Sequence, residues 1–317
     1  MSRRSDFIPH GVIPAVILPF HEDFSIDEGS FRRHLRDVAS VQGLSAITVN
    51  AHSTEVSSCS DAEQREVMEI AGDEVGDDLP IIHGVWADGS FEAARIARQA
   101  EAGGASALLV FPPTPFTLGQ SADMVLAHFK AIAAATDLPL VVFQYPPATG
   151  QNYSATTLTR LCDEIPTIRA IKDWTPVVQQ HEMHVRMLQS RPRAVNVLST
   201  NSAWLMSSLV LGCNGLLSGS GCVIANLQAR LFRAVKSNDL AEARRLNDRI
   251  YPLAKVFYAD PLVDMHNRMK EALVLLGKLP RAVVRPPLVK IQASEIAHIR
   301  TALIGAELLD SMSTLVR

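Results

Sequence analysis

Short apolar runs recur along the first three quarters of the chain, and a longer stretch with apolar or small residues at helical spacing follows each of them. Eight runs stand out, at residues 11–18, 46–50, 81–85, 107–111, 140–143, 168–172, 194–199 and 215–218. Eight strand-then-helix units predict an α/β fold of one kind, a closed parallel TIM (β/α)8 barrel. A doubly wound sheet is the competing arrangement, and it would want a glycine-rich dinucleotide fingerprint after an early strand. The only GxG lies late, at Gly219-Ser220-Gly221, with Ile224 where the third glycine belongs. After about residue 238 the alternation stops. Residues 240–259, 261–276 and 293–315 read as helices, separated by proline-containing breaks at Lys278-Leu279-Pro280 and Arg285-Pro286-Pro287. The expected organisation is a barrel with the active site over residues 1–237 and a C-terminal helical domain over 238–317.

Composition narrows the class of function. Of 317 residues 47% are apolar, and 30 basic side chains face 33 acidic ones. No charge-free apolar stretch reaches the roughly twenty residues that a membrane helix needs, so no membrane association is expected. The segment 1–10 carries Arg3 and Arg4 without the apolar core of a secretory signal, which predicts a cytoplasmic protein. Cys59, Cys162, Cys213 and Cys222 form no CxxC pair and no spacing shared with histidine, so reduced thiols are expected rather than a disulfide frame or a metal site. A net charge of −3 without a basic cluster leaves no footprint for nucleic acid. Chemistry on a small molecule remains.

Catalytic groups of such a barrel sit at the C-terminal ends of its strands and in the loops that follow. The most telling of these ends is Ile168-Arg169-Ala170-Ile171-Lys172-Asp173-Trp174, an apolar run that finishes on a cation. Desolvation disfavours the charged ammonium, lowers its pKa and frees an amine to attack a carbonyl, which makes Lys172 a candidate Schiff-base nucleophile. Asp173 is expected on the opposite side of the strand, in a structural role. Strand two runs into Asn50-Ala51-His52-Ser53-Thr54-Glu55. There His52 is a candidate acid/base, Ser53 and Thr54 are candidates for holding a carboxylate, and Glu55 is expected to anchor the loop. Leu217 and Ser218, at the end of strand eight, join the binding candidates ahead of the Gly219-Ser220-Gly221 turn. The string His181-Glu182-Met183-His184 lacks a third ligand at matching spacing, so it reads as a solvated helix face rather than a metal site.

Several spaced motifs, in order, resemble the dihydrodipicolinate synthase and N-acetylneuraminate lyase family of Schiff-base keto-acid lyases. They are Val16-Ile17-Leu18-Pro19-Phe20, the strand-two loop ending in Glu55, His128-Phe129-Lys130-Ala131-Ile132-Ala133, the turn from Pro146 to Thr149-Gly150, Ile171-Lys172, and the step from Gly212 to Gly215. The resemblance implies a barrel with a C-terminal helical domain, a homotetramer built as a dimer of dimers, and an imine between Lys172 and the 2-keto group of pyruvate or a related acid. It implies no cofactor beyond that covalent imine. Family members usually carry Gly-Thr-Thr-Gly-Glu in the strand-two loop, and here His52 stands where the relay threonine would be. They usually end strand five on a tyrosine, and here that position is Phe143, expected to form an apolar wall beside the imine. Gln144 or Tyr145 is the candidate to replace it, although strand alternation is expected to turn Tyr145 away from the pocket that Phe143 faces. Ala148 replaces the arginine that holds the second substrate of the synthase, and the segment 111–116 offers no relay tyrosine. The expected enzyme is therefore an aldolase, dehydratase or deaminase of a sugar-acid-like or cyclic imino-acid substrate. An authentic 4-hydroxy-tetrahydrodipicolinate synthase and a non-catalytic keto-acid-binding barrel are the alternatives.

Overall fold

The computed structural model describes residues 6–310; Arg3, Arg4 and the end of the stretch expected to be helical to residue 315 lie outside them. Eight parallel strands run in the order β1-β8-β7-β6-β5-β4-β3-β2. They are β1 (Gly11–Pro14), β2 (Ile47–Val49), β3 (Ile81–Val85), β4 (Ala107–Val110), β5 (Leu140–Gln144), β6 (Ile168–Asp173), β7 (Asn196–Ser199) and β8 (Gly215–Ser218). The seam between β1 and β2 is closed by Ser45 N–H donating to the Val12 carbonyl and Val16 N–H to that of Thr48, each at 3.0 Å. Helices α1 (Glu28–Ala39), α2 (Asp61–Val75), α3 (Ser90–Ala102), α4 (Ala122–Ala133), α5 (Ala155–Glu164), α6 (Val178–Gln189), α7 (Leu205–Val210) and α8 (Gly221–Lys236) alternate with the strands. The eight expected runs coincide with the eight strands. The first is shorter than read, because past Pro14 the chain leaves regular pairing and keeps isolated bridges, Ala15 to Thr48 and then Phe20 to Ile26.

Period-two alternation divides each strand between two cores. Ile82, Leu109, Val141, Phe143, Leu198 and Leu217 fill the barrel interior, while Ile81, Leu108, Val142, Ile171, Val197 and Leu216 face the helices. Glycine is required where strands crowd: a Cβ on Gly84 would lie 1.8 Å from the Asn50 carbonyl oxygen. The loop after β2 passes into α2 through a capping box in which Ser60 Oγ accepts from Glu63 N–H and the Glu63 carboxylate accepts from Ser60 N–H.

Beyond α8 come α9 (Leu240–Phe257), α10 (Met265–Leu275) and α11 (Ala293–Gly305), which pack on one another and on α8. The stretch expected as a helix from residue 261 opens as a separate 3₁₀ turn, Leu262–Asp264, before α10 begins. That offset directs the first turn of α10 to the barrel mouth.

Candidate active site

Register brings the first two groups together. In the β5–β6 ladder Phe143 lies opposite Lys172 and Gln144 opposite Asp173. Lys172 and Phe143 therefore share the inner face at the mouth, and the ammonium sits 4.0 Å from the centroid of the Phe143 ring. Lys172 is 5% exposed and makes no hydrogen bond or ion pair among the described residues. Burial alone pushes its pKa down to about 7, so a large share of the amine is neutral at physiological pH.

Around this amine stands an aromatic wall. Phe143 packs against Phe111 at 5.3 Å, Tyr145 at 4.5 Å and Trp174 at 6.1 Å between ring centroids. Tyr145 thus faces inward on the Phe143 side and lines the cavity next to the Lys172 chamber, which corrects the expectation from alternation: residues two apart on a strand share a face, so Tyr145 follows Phe143 inward. Its hydroxyl meets His52 Nε2 at 2.5 Å. The His52 ring also lies edge-on to Phe111 and Trp86. Burial, with the Lys172 cation second, pushes the His52 pKa down to about 3, so its imidazole is neutral, and burial drives the Tyr145 phenol upward. Gln144 points the other way. Its amide N–H donates to the Tyr153 carbonyl and its oxygen accepts from Tyr153 N–H, both at 3.0 Å, so it clamps the loop and does not reach the pocket.

The remaining candidates separate. Ser53 lines the Lys172 pocket, and its buried hydroxyl has no partner. Thr54, next to it, is occupied: its hydroxyl accepts from Ala51 N–H at 2.7 Å and donates to the Ala51 carbonyl at 2.9 Å, holding the turn of residues 52–54. Ser218 is drawn into a cluster with Ser220 and the Gln228 amide, and Leu217 packs in the barrel interior; neither lines the pocket. Sequence reasoning missed Thr200, Tyr258, Met265 and His266, which complete the lining. His266, on the first turn of α10, is 6% exposed and has no hydrogen-bond partner among the described residues. It closes over Gly219, where a Cβ would come within 2.8 Å of its Nε2. Thr200 follows β7 directly and obeys the strand-end rule, whereas the other three come from a distant segment with no local signal.

A model of the dihydrodipicolinate synthetase family matches residues 8–305. The chain belongs to that family. It is 26% identical over 306 residues to the 4-hydroxy-tetrahydrodipicolinate synthase of Chloroherpeton thalassium, covering 96% of this chain and 97% of that one. The fold is shared with dihydrodipicolinate synthase from Thermotoga maritima, at a TM-score of 0.87 and 24% identity over 96% of this chain and 100% of that chain. It is shared equally with a prophage protein of the family from E. coli K12, solved in complex with pyruvate, at a TM-score of 0.87 and 23% identity over 94% and 99% of the two chains. Membership makes the protein an enzyme of the dihydrodipicolinate synthetase family, a lyase.

Two buried polar assemblies support this synthetase-family site from outside. Behind β6, the Asp173 carboxylate accepts from Nδ1 of both His181 and His184 at 2.8 Å and from Thr175 N–H at 3.0 Å. The reading of His181 and His184 as a solvated face is therefore corrected: both are fully buried, because they lie on the same helical stripe as Val185 and Leu188. Burial opposes ionisation of Asp173, but the two histidine bonds outweigh it and hold the carboxyl down at about 2; His181 answers with a pKa raised to about 9 against its own burial. Beneath the β2 loop, Glu55 adopts a left-handed conformation at φ 52° and pairs with Lys270 of α10, while its second oxygen accepts from Arg285 N–H at 3.0 Å. Among the described residues no three His, Cys, Asp or Glu side chains are grouped to hold a metal ion.

Proposed function

We propose that Lys172 condenses with the ketone of a pyruvate-type 2-keto acid and that the resulting iminium drives the lyase reaction. The observation that carries this reading is the buried, unpartnered Lys172 amine, with a pKa near 7, beside a neutral His52 bonded to Tyr145. Imine formation releases water and creates an electron sink at C2. The C3–C4 bond can then break with its electron pair flowing into the iminium to leave an enamine, or loss of a C3 proton can form the enamine, whose electrons expel a hydroxyl or amine from C4 as water or ammonia. The Tyr145–His52 pair takes over the proton transfer that a strand-five tyrosine would perform. A neutral imidazole can accept the phenol proton while the phenol oxygen exchanges one with substrate. Ser53 offers its free hydroxyl to the carboxylate, and Phe143 and Trp174 exclude water. The reaction uses the covalent imine and no other cofactor.

The pyruvate bound by the E. coli K12 prophage protein supports the keto-acid half. Aldolase, dehydratase and deaminase chemistry all follow from the same imine, on a sugar-acid-like or cyclic imino-acid substrate. Synthesis of 4-hydroxy-tetrahydrodipicolinate is the second reading, supported by the names of relatives at 25–29% identity; Ala148, where an arginine would hold the second carboxylate, weighs against it. A homotetramer built from two dimers is the proposed assembly. Borohydride reduction in the presence of pyruvate, read by intact mass, tests the imine. One reduced adduct per chain is expected in the wild type and none in Lys172→Ala, and a wild type without adduct would overturn the proposal.

A further inference from the structure

The narrow chamber over Lys172, about 20 Å³, opens into a second cavity of about 310 Å³, and the two share His52, Trp174, Met265 and His266. This vestibule lies between the β2 loop, Trp174 after β6, the 3₁₀ turn Leu262–Asp264 and the segment after residue 286. Its far wall is apolar, formed by Leu262, Val263, Met265, Pro287 and Leu288. Val263, 63% exposed, is part of this contiguous apolar wall rather than an isolated surface residue.

The charged groups at this wall are already committed. Glu55 lines the vestibule, but its oxygens are taken by Lys270 and by Arg285 N–H. The Arg285 guanidinium is not part of the lining, and it is already bonded to Glu63 and to the Ser58 and Phe24 carbonyls. Apart from Lys172 in the inner chamber, neither lining contains a lysine or arginine. A second carboxylate or a phosphate would be desolvated here without a counter-ion, which costs several kcal/mol by general experience with buried charges. A polyhydroxylated chain would find Ser57 and Ser58 as the only vestibule hydroxyls besides Tyr145, which is already bonded to His52. An apolar group loses nothing in the same place and gains contact with five hydrophobic side chains.

We propose that the bond handled by this lyase is the C3–C4 bond of a 4-hydroxy-2-oxo acid whose C4 substituent is an uncharged aryl or branched alkyl group seated in the vestibule. The proposal rests on the imine reading above and narrows its substrate. In the cleavage direction Lys172 forms the iminium at C2 with loss of water, and the Tyr145–His52 pair removes the C4 hydroxyl proton. The C3–C4 electron pair then moves into the iminium, releasing an apolar aldehyde. Protonation of the enamine at C3 and addition of water return pyruvate and the free lysine. Atoms and electrons balance without an oxidant or reductant, and the same steps run backwards join pyruvate to the aldehyde.

The test compares kcat/KM for condensation of pyruvate with benzaldehyde, glyceraldehyde and succinic semialdehyde, the adducts read by mass, with borohydride trapping of pyruvate alongside. Benzaldehyde is expected to lead both others by at least about tenfold, the discrimination a hydrophobic pocket can supply. In Val263→Lys, at an exposed position that tolerates charge, the benzaldehyde-to-semialdehyde ratio is expected to fall by about the same factor. Preference for glyceraldehyde or the semialdehyde, no benzaldehyde adduct despite intact trapping, or an unchanged ratio in Val263→Lys would each overturn the assignment of the apolar substrate while leaving the imine standing. Loss of trapping itself in the wild type would overturn both.

Discussion

Two lysines are buried near the barrel mouth, and they have opposite surroundings. Lys270 is fully buried over the Phe20 ring at 4.4 Å, yet its ammonium is paired with Glu55 and donates to the Val283 carbonyl at 2.8 Å. Lys172 is buried to nearly the same extent over a ring of the same kind, Phe143 at 4.0 Å, and has no hydrogen-bond or ion-pair partner among the described residues. Burial alone does not distinguish a structural lysine from a chemical one. Burial lowers the pKa of both; what differs is that at Lys270 the Glu55 carboxylate opposes the shift and holds the cation in place, whereas at Lys172 nothing opposes the loss of a proton that makes it a nucleophile. The first lysine ties the β2 loop to α10; the second is poised in the loop's shadow.

The largest effect expected from breaking this contrast is on chemistry at the second lysine's neighbours. Tyr145→Phe and His52→Asn should each lower kcat by roughly 10²-fold or more, the usual contribution of a positioned acid/base, while pyruvate remains trappable on Lys172. Equal losses of trapping and turnover would show that the pair builds the pocket rather than moves protons. Next in size are the stabilities. Lys270→Met leaves Glu55 charged and buried, so chemical denaturation should show a loss of about 3–5 kcal/mol. Lys172→Met should do the reverse and raise Tm. Between pH 7 and 10.5 the unfolded chain keeps the Lys172 proton and the folded chain releases it, so the penalty that this lysine imposes grows as pH falls and is complete below about 7. Removing it should therefore stabilise the fold at neutral pH and have little effect above pH 10.5. The smallest change is a profile: the rate of imine trapping should rise with pH through a midpoint near 7, because the neutral amine is the attacking form. A rate still climbing in the ordinary lysine range would place Lys172 in water.

Much of this architecture is legible in the chain before folding. Strand positions follow from apolar runs whose composition is local, and Lys172 stands out as a cation ending such a run, although a strand-end lysine can also reach solvent and it is the family motifs around it that favour the nucleophile. The β2 loop is equally visible, and His52 and Ser53 do meet at the pocket. Residues whose role depends on what faces them are harder. Thr54 and Ser218 carry the same hydroxyl as Ser53 but spend it on Ala51 and on the Ser220–Gln228 cluster. His181 and His184 needed a carboxylate from another element before their burial made sense, although their stripe with Val185 and Leu188 was there to be counted. Tyr145 was legible too, since its two-residue offset from Phe143 already places it inward. Tyr258, Met265 and His266 were not, because only the packing of α9 and α10 against the barrel carries them to Lys172.

The central claim is that the unpartnered lysine, and not its paired neighbour, is the nucleophile. Peptide mapping of the borohydride-reduced pyruvate adduct decides it most directly. The account predicts the whole added mass on the peptide containing Lys172 and none on that containing Lys270. An adduct on Lys270, or one spread over exposed lysines with Lys172 unmodified, would contradict it.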